Sequence, residues 1–289
     1  MASANSMLRC ARSTCVGSFV LAATTGCGKL LRISDENQPW NTAIAEVTGL
    51  NVQQITLAEQ HRILIAHIDQ GLDDPIRYPY FLIGVLGCAL WTVAYVLLIK
   101  RAMQDKVNTL PMLAICLNFT WEMMAVFVLP NPSLAWTVLE WSWVLIDVGL
   151  VALLWLHGPN TLQQPLLRRH FHVLLPLLLV VCFIGQLTFV LTFGDLLGFI
   201  VAFVINLVMS ALFIVMFFER SPHLTGLCYP AAWLKMWGTA CTSIQCAALL
   251  PALRPDVPSW GFLYFLYVAI FVLDGVYVAL LYRARRSAV

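Results

Sequence analysis

Charge is what this chain has least of. Asp, Glu, Lys and Arg make up 11% of its 289 residues against 60% hydrophobic, and the mean hydropathy is +0.81. Soluble domains carry about 25% charged residues, so composition alone excludes a soluble globular protein and defines an integral membrane one. Net charge is +2, with no basic stripe, which excludes a nucleic-acid surface. The nine cysteines form no CxxC pair and share no metal-ligand spacing with histidine, so their expected role is packing, and nothing argues for disulfides. No glycine-rich phosphate loop occurs. Asp73-Asp74 lacks the spacing of acids that holds magnesium and a diphosphate, so no metal site is expected.

What remains is long apolar runs. Seven are legible, at about 80–99, 110–130, 136–156, 174–193, 195–218, 231–250 and 261–282, each long enough to cross a bilayer core of about 30 Å. Lys100-Arg101, Pro130-Asn131-Pro132, Gly158-Pro159-Asn160, Glu219-Arg220-Ser221-Pro222 and Pro255-Asp256-Val257-Pro258 separate them. Only Gly194-Asp195 divides the fourth from the fifth, so those two are expected to pack as antiparallel neighbours. The reading is all-α: a bundle of seven transmembrane helices over 79–285, behind an N-terminal extension, 1–78. Within that extension the mixed stretch 51–69 reads as a helix lying on the membrane surface. Lys100, Arg101, Lys106, Arg168, Arg169, Arg283, Arg285 and Arg286 all fall on one side if the N-terminus is lumenal and the C-terminus cytosolic. The loops are too short for a catalytic domain outside the membrane, so any chemistry happens among the helices. The expected location is the endoplasmic reticulum membrane.

Several polar residues lie within the runs. Glu122 is about 12 residues into the second and therefore roughly 18 Å deep. Ionised in hydrocarbon it would cost several kcal/mol, so it is expected to be shielded, partnered or held protonated. Asn118 is one turn back on the same face, placed to hydrogen-bond it. Asp147 is near the middle of the third run, Gln186 of the fourth, Asn206 of the fifth with Ser210 one turn on, and Asp274 lies inside the seventh with Tyr277 three residues later. Trp121, Trp143, Trp237, Tyr267 and Phe271 are candidate aromatic walls. Gln186, Asn206 and Ser210 also read simply as glue between helices. Lys235, the one lysine within the runs that the three carboxyls meet, is a candidate supporting residue; near the cytosolic end of the sixth run, it also reads as a side chain that snorkels to the interface. Pro176 falls in the first turn of the fourth run, where proline is tolerated.

Asn118-x-x-Trp121-Glu122, Asn206-x-x-x-Ser210, Trp233-x-Lys235 and Asp274-x-x-Tyr277, in this order and in these runs, resemble a known family. It is that of the small fungal transmembrane terpene cyclases of meroterpenoid and indole-diterpene pathways, the pyripyropene and paxilline type. The resemblance covers roughly residues 78 to 285. It implies a cyclase acting on a prenyl chain already attached to an aromatic, polyketide or indole head by a prenyltransferase and already epoxidised by a separate flavin enzyme. It implies that Glu122 and Asp274 match the family's two acids, with no cofactor and no metal.

The residues suit such chemistry on their own terms. A general acid must hold its proton at working pH, and burial favours the neutral carboxyl. Tryptophan and tyrosine faces stabilise a passing cation by roughly 0.5–2 kcal/mol each. Glu122 and Asp274 are expected to form or organise the acid, with Asn118 orienting Glu122, Tyr277 supporting Asp274, and Asp147 either a third acid or a packing partner. A proton-coupled carrier or a seven-helix receptor would use the same carboxyls. Against them stand the absence of an internal repeat, of a DRY-like cluster after the third run and of NPxxY in the seventh.

Overall fold

The computed structural model describes residues 79–287, apart from 130–133, 163, 196, 222 and 254–258, together with position 66. Position 66 aside, the N-terminal extension read at 1–78 lies outside the described residues. The described chain runs as α1 (Pro79–Asp105), α2 (Met112–Phe127), α3 (Leu134–His157), a short 3-10 turn (Gly158–Thr161), α4 (Pro165–Phe193), α5 (Phe199–Arg220), α6 (Tyr229–Leu253) and α7 (Gly261–Ser287). No strand occurs among the described residues. In hydrocarbon every backbone polar group must be satisfied within the segment, and a helix achieves this. Apolar side chains point outward as well as inward: Leu82, Val85, Val96, Leu145, Val180, Val181 and Val268 are all exposed.

Five helices (α1, α3, α4, α5 and α7) are long and apolar enough to cross a bilayer. The other two fall short for different reasons. At 16 residues α2 is about 24 Å long, less than the hydrocarbon core. The 25-residue α6 is diluted by Lys235, Thr239, Thr242, Ser243 and Gln245. Both are partly covered by neighbours. α2 packs on α3, α4 and α5, and α6 on α1 and α7. The α1–α6 pair is the most extensive contact, and small residues make it possible. A Cβ on Gly87 would stand 2.9 Å from the Gly238 carbonyl, and one on Gly238 would meet Trp91.

Two expectations are corrected here. α4 begins at Pro165 rather than 174, so the first-turn proline is Pro165, and Pro176 sits inside the helix. Nor do α4 and α5 pack along one another; α4 leans chiefly on α2. Their connection contains Gly194 (φ 64°) and Gly198 (φ 71°), both left-handed, and this turn aims α5 away from α4. α2 fills the gap, burying Met124 against Val190, Val201 and Ile205. Trp121 fastens the wedge by donating from Nε1 to the Gly198 carbonyl at 3.1 Å. Asp195 satisfies the start of α5 by accepting from the Val201 amide at 2.8 Å.

One end of the bundle is tied by polar contacts. Arg220 donates to the Asn108 carbonyl (2.7 Å), the Asn108 side-chain oxygen (3.1 Å) and the Thr225 carbonyl (3.2 Å). Asp105 accepts from the Gly226 amide at 2.7 Å and pairs with Arg101. Arg285 lies over the ring of Tyr229 and Arg286 over that of Tyr282. The connections α1–α2 and α5–α6 and the end of α7 therefore share one end of the bundle.

Candidate active site

Two polar centres are buried in this bundle, one on each side of α1. The first lies among α1, α2 and α3. Glu122 is 4% exposed, and its Oε2 has no hydrogen-bond partner among the described residues. Asp147 and Glu140, both buried on α3, stand close enough to act on the Glu122 carboxyl through their charge. Asn118 donates from Nδ2 to Asp147 Oδ2 at 2.7 Å, while Asp147 Oδ1 has no such partner. Asn118 thus serves Asp147, not Glu122 as its place on the helix suggested: an amide one turn away shares a face, but the facing helix offers the better-aimed acceptor. Tyr95, buried on α1, stands beside Asn118, within electrostatic reach of both Asp147 and Glu122. On α4, Gln186 donates to the Leu117 carbonyl (3.0 Å) and to Thr120 Oγ1 (2.7 Å), clamping the helix that carries Glu122.

The second centre lies among α5, α6 and α7. Lys235 is buried, 4% exposed, and its ammonium donates to Asp274 Oδ1 and Oδ2 (2.7 Å each), Ser210 Oγ (2.7 Å) and Asn206 Oδ1 (2.9 Å). The snorkelling alternative is therefore set aside. α6 presents Lys235 inward, where three oxygen-bearing residues replace water. Asn206 also donates to Thr239 at 3.3 Å. Tyr277, expected to support Asp274, instead stacks on Phe213 with centroids 5.1 Å apart. The group that grips Asp274 is Lys235.

Aromatic side chains connect the centres. The Lys235 ammonium stands 5.6 Å from the Trp91 ring, and Trp91 lies 5.3 Å from Tyr95. A narrow crevice is lined here by Trp91, Ala94, Met209, Phe213, Lys235 and Tyr277 among others. The aromatic walls expected from the sequence are only partly in place. Trp237 and Phe271 face outward, half exposed, and pack on each other. Trp143 donates to Thr92 on α1 at 3.1 Å, and Tyr267 packs on Phe203. Trp91, Tyr95 and Glu140 were not foreseen. Glu140 carried a signal, since it sits seven residues before Asp147 and therefore on the same face of α3. The two aromatics carried none, because their place depends on which helix α1 packs against.

Acid side chains sealed inside a bundle whose outer faces are apolar define a membrane-embedded protein. The family model for Pyr4-like transmembrane terpene cyclases matches residues 79–287, and the chain belongs to that family. Among curated relatives, the terpene cyclase macJ of Penicillium terrestre is 28% identical over 155 residues, covering 52% of this chain and 59% of its own length. The Pyr4-family terpene cyclase mfmH of Annulohypoxylon moriforme is 33% identical over 93 residues, 32% and 38% of the two chains. The terpene cyclase esdpB of Penicillium shearii is 26% identical over 216 residues, 72% and 84%. The chain thus matches about three fifths of the first relative's length and two fifths of the second's. No solved structure matches it.

Proposed function

We propose that this protein is a membrane terpene cyclase that protonates the terminal epoxide of a prenyl chain carried on an aromatic, polyketide or indole head. The observation that supports it most is Glu122, a carboxyl buried deep in the bundle with an oxygen that no described neighbour engages. In this reading Glu122 holds a proton because it is buried in an apolar interior, where the neutral carboxyl is favoured. The proton moves to the oxirane oxygen as a ring C–O bond breaks. The electron pair goes to that oxygen, leaving a carbocation that the chain's alkenes attack in turn. A carbon-bound proton is lost at the end, so product and substrate have equal mass.

Trp91 and Tyr95 supply π faces beside the path of charge, and apolar helices exclude the water that would quench the cation early. A prenyltransferase and a flavin epoxidase must act first. We place the protein in the endoplasmic reticulum membrane with its C-terminus cytosolic, since the basic loops gather at the end where α7 finishes.

The test feeds microsomes containing the protein a farnesyl-type and a geranylgeranyl-type epoxide on an aromatic head, beside Glu122→Gln at matched protein level. An equal-mass cyclised product from wild type, reduced about 10²–10⁴-fold in the variant, is expected, that being the usual worth of a general acid. Undiminished cyclisation by Glu122→Gln would overturn the assignment.

A further inference from the structure

Family resemblance made Asp274 one of two acids. The geometry points elsewhere, and we propose that Asp274 is a carboxylate held as the counter-ion of Lys235, a positioning residue and not a proton donor, with Glu122 the acid that starts the reaction. This rests on the acid-initiated reading above.

Both oxygens of Asp274 receive hydrogen bonds from one ammonium at 2.7 Å. A proton on Asp274 would leave Lys235 a neutral amine with only two N–H for three accepting residues, whereas an ammonium has three, one each for Asp274, Asn206 and Ser210. Asn206 and Ser210 complete the ammonium's shell with two further acceptors, an arrangement that keeps the charge on Lys235 and the proton off Asp274. Glu122 differs in kind: its Oε2 is unengaged among the described residues, and the charged groups acting on it are acids.

The pair has a task in a cation-forming chamber. Lys235 faces the Trp91 ring, which in turn meets Tyr95 beside the acid centre. A bare ammonium there would oppose every carbocation that forms nearby, and breaking a buried pair leaves just such an uncompensated charge. Asp274 cancels it. Changing Asp274 alone should therefore depress kcat more than KM, and changing both partners should restore much of the loss.

The test uses full-length protein reconstituted in lipid. Infrared difference spectra of wild type minus Asp274→Asn should lose a carboxylate stretch and leave the protonated-carboxyl stretch untouched. Lys235→Met should gain a new protonated-carboxyl stretch, as Asp274 takes up the proton that pairing had excluded. In turnover assays Lys235→Met/Asp274→Asn should exceed Asp274→Asn at least tenfold in kcat, while Glu122→Gln stays inactive in either background. Loss of the protonated-carboxyl band in Asp274→Asn, no new band in Lys235→Met, or a folded double variant no faster than Asp274→Asn would each overturn the proposal. Failure of wild type to convert any epoxide would bear on the cyclase reading alone, because the infrared result stands without turnover.

Discussion

Asn118 holds Asp147 at 2.7 Å across the α2–α3 interface, so these residues should behave as one energetic unit. In a double-mutant cycle built on Asn118→Ala and Asp147→Asn, the coupling is expected to be roughly 0.5–3 kcal/mol. The same cycle between Asn118 and Glu122 should give a smaller coupling, since those two meet only through Asp147, although the sequence pairs them by helical spacing. Thermal unfolding in detergent reads both. Glu140 offers a second residue-scale test. Glu140→Gln removes a charged neighbour of the Glu122 carboxyl, and kcat for cyclisation should fall while KM stays within a few-fold; an unchanged kcat would separate Glu140 from the acid centre. At this scale the sequence was legible in identity and not in pairing. Glu122, Asp147, Asn206, Ser210 and Asp274 could be singled out because polar groups are costly in an apolar run. Their partners depend on helix rotation, which no local spacing encodes.

The turn between α4 and α5 argues its own prediction at the scale of elements. Both of its glycines are left-handed, but a Cβ on Gly194 meets open space, whereas one on Gly198 would stand 2.7 Å from Leu129 and 3.3 Å from the Trp121 indole nitrogen. Gly194→Ala should cost roughly 1–2 kcal/mol for the backbone alone. Gly198→Ala should cost more, since it also pushes on the wedge of α2; equal shifts in the thermal midpoint would show the wedge to be soft. Helix existence and order were readable from apolar runs and their breaks. The splay of α4 from α5 was not, because a short connection says that two ends are close without saying that two axes run together. The true start of α4 was hidden by Arg168, Arg169, His170 and His172, which look like a loop but lie within the helix.

Across the whole molecule, Arg220 joins the end of α5 to the α1–α2 connection through two hydrogen bonds to Asn108, and a third reaches Thr225 in the α5–α6 connection. Arg220→Met should lower stability by about 1.5–3 kcal/mol, the usual worth of hydrogen bonds to a charged group. Arg220→Lys should recover little, because a single ammonium cannot reproduce the fork. A tag on the C-terminus should be cleaved by protease added outside sealed microsomes; protection would reverse the orientation proposed from the basic loops. The class of the molecule was plain from composition, since so little charge leaves no soluble alternative. The buried lysine was not, because a lysine near a helix end reads equally as an interfacial anchor until its neighbours are known. Lys235 and Asp274 are 39 residues apart in the chain and joined at 2.7 Å in space. Neither can drift alone without stranding a charge in a dry interior, so in descent the two positions should change together or not at all, inherited as a single character.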